Sequence, residues 1–113
     1  MLRSLLLFAL ATAHQNPAQP GDEPRSVVRA ATRAIEGDSA ARVETRWRAR
    51  LARNANDRAS LLGLATLARL RYDYPSSEST YRRLLIGAPD GYSAYARLGL
   101  ADGDETRGIA RLA

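Results

Sequence analysis

Residues 54–91 read NANDRASLLGLATLARLRYDYPSSESTYRRLLIGAPDG, and this stretch decides the fold. Two apolar segments flank a turn at Asp73, and Pro89 closes the second segment, which is the layout of one helical hairpin. Fragments of this layout recur 34 positions away, so that Trp47 matches Tyr81. A unit that repeats at a fixed period cannot bury its apolar face alone and stacks on its neighbours. The repetition therefore favours a binding scaffold over a catalyst.

Length and composition limit the chain to one domain and exclude several kinds of site. It has 113 residues, no cysteine and a formal charge of +5, and all 17 basic residues are Arg. The absence of cysteine excludes disulfides and thiolate metal sites. Arginines spread among acidic residues predict solvated helix faces with local ion pairs. We expect no nucleic-acid partner, because that function needs basic residues clustered with base-stacking groups.

The first 13 residues have the pattern of a secretory signal peptide. Arg3 forms a short positive region, residues 4–10 are apolar, and Ala11-Thr12-Ala13 is a small-residue cleavage motif. The apolar run is too short for a stable membrane span. We therefore predict cleavage after Ala13 and export to the periplasm or the medium.

A proline-rich segment follows the predicted signal peptide. Residues 14–25 contain three prolines in eleven positions from His14 to Pro24, which predicts a disordered linker. Ser26 is then expected to cap a first helix over residues 27–36. These predictions place the start of the folded domain at position 26.

Helical spacing of apolar residues predicts the next three helices. Asp38 or Ser39 is expected to cap the second helix, Asp57 the third, and Pro75 opens the fourth. The residues expected to be buried on these helices are Val43, Trp47, Leu51, Leu61, Leu64, Ala65, Ala68, Tyr72, Tyr81, Leu84 and Leu85. No segment alternates with period two, so no strand is predicted.

The C-terminal part predicts two more helices, over residues 92–101 and 106–113. A turn at residues 102–104 is expected between them, with Asp104 as the cap of the second. Ile109 and Leu112 on that helix need a following element to cover them. We expect either a continuation of the array or self-association through this helix, and favour the continuation.

The repeated stretch resembles the tetratricopeptide repeat (TPR), whose pattern is W-x2-L-G-x2-Y, then A-x3-F, then P. The residues at the matching places are Leu61, Leu64, Ala65, Ala68, Ser77, Tyr81 and Pro89. A third copy opens with Tyr95-Ala96-Arg97-Leu98-Gly99, and a degenerate first copy carries Ala30, Ala31, Ala34 and Trp47. The resemblance covers residues 24–113.

The resemblance implies an all-α fold of antiparallel hairpins stacked as a short right-handed solenoid. Its repeats would be residues 26–57, 58–91 and a partial third, 92–113. In the family the first helix of each hairpin lines a concave groove that binds a peptide or a partner helix. The residues placed in that groove are Val28, Thr32, Leu62, Thr66, Arg69, Ser93, Ala96, Arg97 and Leu100. Some members hold the C-terminus of a chaperone peptide with a clamp of Lys, Asn and Arg side chains. Only Arg97 matches a clamp position here, so binding of a chaperone C-terminus is not expected.

No constellation in the sequence indicates catalysis, a cofactor or a metal. His14 is the only histidine and lies in the predicted linker, where nothing orients it for a catalytic triad. The acidic residues 102–105 lack the further ligands of a calcium loop and fit a turn better. The aromatic residues fall mostly at core positions, with Tyr92 expected to be the most exposed. We predict a protein without an activity of its own.

Two other functions remain open from the sequence. The chain fits the N-terminal regulatory part of a larger enzyme, because TPR-like arrays precede catalytic domains such as caspase-like proteases in some proteins. It also fits, less well, a binder of anionic surfaces driven by arginine. A steep loss of binding with added salt would support the second of these.

Overall fold

The computed structural model describes residues 20–112, apart from the side chains of residue 107 and residues 109–112. Within this part the chain forms five helices and no strand, which confirms the all-α class. The helices are α1 (Pro24–Glu36), α2 (Ala40–Arg53), α3 (Arg58–Leu70), α4 (Tyr74–Arg83) and α5 (Gly91–Leu112). The predicted signal peptide and most of the predicted linker lie outside the described residues.

Helix α1 begins at Pro24, two residues before the predicted cap Ser26. Glu23 occupies the N-cap position, and Pro24 is tolerated because the first helical residues have no intrahelical acceptor for an N–H group. The prediction of a helix start after Ser26 was wrong because Pro24 was taken to block the helix. Val27, Ala31 and Ala34 form the buried face of α1.

The turns between α1 and α2 and between α3 and α4 have the same geometry. Asp38 and Tyr72, which lie 34 positions apart, both adopt left-handed backbone conformations with φ values of 59° and 64°. One residue further on, the Ser39 and Asp73 amides donate to carbonyls five positions back. This bonding is that of a Schellman C-cap, which satisfies orphan carbonyls at the end of a helix.

The left-handed turn corrects the prediction that Tyr72 is buried. The chain leaves the helix at Arg71, so Tyr72 no longer follows the apolar stripe of α3 and is 76% exposed. Its ring lies edge-on to that of Tyr74, at 6.5 Å between centroids.

Helix α3 lies at the centre of the described fold and contacts all four other helices. Asp57 caps it as predicted, its side chain accepting a hydrogen bond from the Ser60 amide. The buried apolar side chains of α3 are Ala59, Leu61, Leu62, Ala65 and Leu67. Because helix stability in proteins comes mainly from packing, this nearly all-round burial makes α3 the core element.

Two glycines allow aromatic side chains of one hairpin to reach the backbone of the next. A Cβ atom added to Gly63 would lie 2.6 Å from the Trp47 ring, and one added to Gly99 would overlap the ring of Tyr81. Trp47 is on α2 and Tyr81 on α4, and they are 6% and 1% exposed. Glycine in a helix interior costs up to about 1 kcal/mol relative to alanine, so close packing must compensate for it.

Helix α5 is continuous, which corrects the prediction of a turn at residues 102–104 and of Asp104 as the cap of a sixth helix. Gly103 is buried and faces the Tyr74 ring, 3.7 Å from a Cβ placed there. Asp102 pairs with Arg69, and its carbonyl accepts from Thr106. The Asp-Gly-Asp sequence therefore continues the helix, and a Cβ at Gly103 would make an ordinary van der Waals contact with the Tyr74 ring.

The aromatic–glycine contacts predict a clear cost for enlarging either glycine. Gly63→Ala or Gly99→Ala should lower the free energy of unfolding by about 1–3 kcal/mol, because the added methyl overpacks the ring. The measurement is urea unfolding followed by circular dichroism.

Gly108→Ala is the matched control, since nothing lies within 4 Å of a Cβ there. It should be neutral or stabilising by up to about 1 kcal/mol. Equal effects at Gly63 and Gly108 would contradict the packing described.

Candidate functional site

A cleft of about 300 Å³ opens between α1, α3 and α5. We call it the central cleft; its lining residues are Val28, Leu62, Thr66, Arg69, Tyr81, Tyr95, Leu98, Gly99 and Asp102. Its base is apolar, because Leu62 and Tyr81 are fully buried there. The Thr66 hydroxyl donates to the Leu62 carbonyl at 2.7 Å, so this polar group is satisfied within α3.

Arg69 closes one end of the central cleft and links three helices. Its Nε donates to the Tyr81 hydroxyl at 3.2 Å, and its Nη1 donates to Asp102 at 2.9 Å. The Asp102 side chain is 56% exposed, whereas that of Arg69 is 23% exposed. The cleft therefore presents a half-buried guanidinium beside an apolar base.

Leu98 stands at the mouth of the central cleft with 66% of its surface exposed. The 34-residue period matches it to Leu64, which packs against the core. The helices around α3 cover Leu64, but α5 is the last helix described and no described helix covers this side of it. The 34-residue correspondence with Leu64 therefore does not extend to burial, and the Leu98 side chain becomes part of the cleft surface.

The structure places the nine predicted groove residues in two groups. Val28, Leu62, Thr66 and Arg69 line the central cleft. The remaining five lie elsewhere: Thr32, Ser93, Ala96, Arg97 and Leu100. Of these, Ala96 is buried in the core, Ser93 is bonded within the cap of α5, and Arg97 is exposed on the surface.

The cleft residues that were not predicted for the groove are Tyr81 of α4 and Tyr95, Leu98, Gly99 and Asp102 of α5. The period treated α5 as a copy of α3, so that the side carrying Ala96 and Leu100 was expected to face the groove. Instead, Ser93, Ala96, Gly99 and Gly103 face the core. The small residues at these positions were the available signal, because they permit the closest helix approach.

A second, larger cavity of about 930 Å³ lies on the other side of α1. We call it the basic cavity; the charged and aromatic residues of its lining are Asp22, Arg46, Trp47, Arg50, Arg53, Asp57, Arg58 and Tyr92. Arg50 binds Asp22 with two hydrogen bonds and Asp57 with two more, between 2.8 and 3.1 Å. The segment before α1 is thereby tied to α2 and to the cap of α3.

Tyr92 and Arg58 join the start of α5 to the same end of the fold. The Tyr92 hydroxyl donates to the Asp22 carbonyl, and the Arg58 guanidinium lies 5.8 Å from the Tyr92 ring centre. Burial raises the pKa of the Tyr92 hydroxyl, with a further contribution from nearby Asp22. Tyr92 is thus half-buried, whereas the sequence predicted it as the most exposed aromatic residue, a position that Tyr72 takes instead.

Two carboxylates in ion pairs have lowered pKa values. Hydrogen bonds from Arg58 hold the pKa of Asp90 below its ordinary value, and those from Arg71 and then Arg48 do the same for Glu44. Asp90 is also the N-cap of α5, since it accepts from the Ser93 amide at 2.8 Å. Both carboxylates connect different helices or turns.

The described residues contain no group of three or more side chains suited to holding a metal ion. Among the same residues, no helix is both long and apolar enough to cross a membrane. Comparison of the chain with protein-family models, with curated proteins and with solved structures gives no match.

The lowered pKa values predict loss of stability in acid. A carboxylate with a lower pKa in the folded state takes up protons more readily when unfolded, so its contribution is present above about pH 4–5 and is lost as the pH falls further. We expect the free energy of unfolding to decrease between about pH 5 and pH 3, with at most about 1 kcal/mol from the partly exposed Asp90 pair.

Asp90→Asn should flatten this pH dependence, because asparagine keeps the capping oxygen but loses the charge that meets Arg58. Asp104→Asn is the control, since Asp104 is exposed and has no ion pair among the described residues. The measurement is urea unfolding at several pH values. The same pH dependence in the Asp90→Asn variant and the wild type would refute this assignment.

Proposed function

We propose that this chain is a TPR-like scaffold that binds a peptide or a helix of a partner protein in the central cleft. The observation that carries the proposal is the cleft itself, an apolar concavity with an exposed leucine at its mouth. A concave apolar site with a few polar groups is the usual form of a binding site. The scaffold has no chemistry of its own in this proposal.

Repetition of the same local contacts supports the TPR-like arrangement. The left-handed residues Asp38 and Tyr72 occur 34 positions apart, as do Trp47 and Tyr81. The hydroxyls of Thr32 and Thr66, also 34 positions apart, each donate to the carbonyl four residues earlier. Each pair occupies corresponding places in the first and second hairpins, as expected for tandem copies of one unit.

The pattern of helix contacts also supports this arrangement. Helices α1, α3 and α5, the first helices of the proposed repeats, contact one another, whereas α2 and α4 do not. In a solenoid of hairpins, one set of helices forms an inner layer and the other an outer layer. The central cleft lies among the inner helices, where the family binds its ligands.

The chemistry of the cleft indicates what the partner presents. Val28, Leu98 and Tyr95 offer apolar contact around the buried base, and a volume of about 300 Å³ is at the lower limit for ligand pockets. We infer that one or two apolar side chains of the partner enter the cleft. Surface contacts on both sides would supply the rest of the interface.

The ion pairs disfavour the alternative of an arginine-driven binder of anionic surfaces. Five arginines, namely Arg48, Arg50, Arg58, Arg69 and Arg71, form ion pairs with carboxylates of this chain. Such pairs use the guanidinium groups to hold the fold together.

Export remains part of the proposal. It depends on residues 1–13, which lie outside the described part of the chain. An intact mass corresponding to residues 14–113 in an extracytoplasmic fraction would support export. Detection of the protein only in the cytoplasm, with Met1 retained, would contradict it.

The proposed cleft function predicts a specific effect of Leu98. Peptides selected from a phage-displayed library on the wild-type chain should bind with micromolar affinity, and Leu98→Asp should weaken them at least about tenfold, because it places a charge at an apolar contact. Isothermal titration of one selected peptide measures the effect.

Ile86→Asp is the matched control, since Ile86 is 75% exposed and does not line the central cleft. It should leave the affinity within about twofold. Equal binding to the wild type and the Leu98→Asp variant would exclude the central cleft as the binding site.

A further inference from the structure

The basic cavity has positive charge that forms no ion pair within the described part of the chain. Arg46 and Arg53 line it, and neither forms an ion pair with a carboxylate among the described residues. All acidic residues of the chain lie between Asp22 and Glu105, so the undescribed ends add no carboxylate side chain. Asp22 and Asp57, the acidic residues of the lining, are both occupied by Arg50.

The two free arginines lie at a defined spacing on a rigid element. They are seven residues apart on α2, on one face of the helix, which places them about 10 Å apart along its axis. Arg50 lies between them and is held by its four hydrogen bonds. In an extended peptide, side chains four positions apart lie on the same face and about 13 Å apart, a distance that the long arginine side chains can meet.

The surroundings favour a peptide over a nucleic acid. The Trp47 ring is 6% exposed, and the half-buried Tyr92 has Arg58 over its ring, so the cavity lacks an open aromatic surface for stacking a base. Asn54 and Asn56 also line the cavity and carry amide groups suited to bonding a peptide backbone.

We propose that the basic cavity binds an acidic segment of a partner protein, with two carboxylates meeting Arg46 and Arg53. Its volume of about 930 Å³ is at the upper end of the range for ligand pockets. The site is separate from the central cleft, because Ser26 and Ala30 of α1 face it while Val28 faces the cleft. A negative binding result at one site therefore does not count against the other.

Trp47 provides the readout, because it is the only tryptophan of the chain and lines the basic cavity. The probe is the peptide acetyl-Glu-Ala-Ala-Ala-Glu-amide, and the neutral probe replaces both Glu with Gln. In low-salt buffer the acidic peptide should change the Trp47 fluorescence in a saturable way, and the neutral peptide should not.

The double variant Arg46→Glu/Arg53→Glu should weaken this binding roughly tenfold or more, because it reverses both charges. Arg29→Glu/Arg82→Glu is the control with the same net charge; both residues are exposed and outside the cavity. It should retain the affinity within about twofold. If the charge reversal disturbs the circular dichroism spectrum, Arg46→Ala/Arg53→Ala replaces it, with the same direction expected.

Three results would overturn the proposal. Equal losses of peptide affinity in the two double variants would show that the net charge of the protein, and not Arg46 and Arg53, determines binding. No saturable response of Trp47 to the acidic peptide would exclude the site. Tighter binding of hexathymidylate, or of vesicles with anionic lipid, with the same Trp47 response would show a polyanion site and not one for an acidic peptide.

Discussion

The fold depends on the contact between the ring of Trp47 and the backbone of α3 at Gly63. Helix α3 contacts every other described helix, so its position relative to α2 determines where the rest can pack. A side chain at position 63 would separate α2 from α3 by overlapping the ring. The same kind of contact, between Tyr81 and Gly99, positions α5 on α4. Two aromatic–glycine contacts thus carry the stacking of successive hairpins.

The two contacts are related but not identical. Trp47 and Tyr81 are 34 positions apart, whereas Gly63 and Gly99 are 36 apart. Helix α4 is shorter than α2, and a longer loop joins it to α5, so α5 meets its neighbour at a different register. The core face of α5 nevertheless keeps the repeat register, since Ala96 is buried as Leu62 is, 34 positions earlier. Tyr95, Leu98 and Asp102 of the same helix line the central cleft.

The helices themselves followed from local sequence signals. Asp57 caps α3, and Trp47, Tyr81 and Leu84 are buried, because capping residues and apolar spacing act within one turn or one helix. The failures lie where the outcome depends on distant residues. The sequence at Asp102-Gly103-Asp104 is typical of a turn, but α5 runs through it, with Gly103 buried beside Tyr74 and Asp102 paired with Arg69. Tyr72 continues the apolar stripe in the sequence, but the C-cap turns it into solvent.

Arginine has two roles in this molecule. Arg50, Arg58 and Arg69 join elements that are distant in sequence, and their carboxylate partners lie on other segments. Arg46 and Arg53 keep their charge available on α2. Composition alone could not separate these roles, because the positions of the carboxylates depend on the fold.

Nuclear Overhauser effects between the Trp47 indole and the α-protons of Gly63 test the central claim most directly. The described packing predicts a strong effect there, and a second between the Tyr81 ring and the α-protons of Gly99. Assigned spectra that show the ring of Trp47 contacting other residues, with no effect to Gly63, would contradict the stacking of α2 on α3 and with it the account of both cavities.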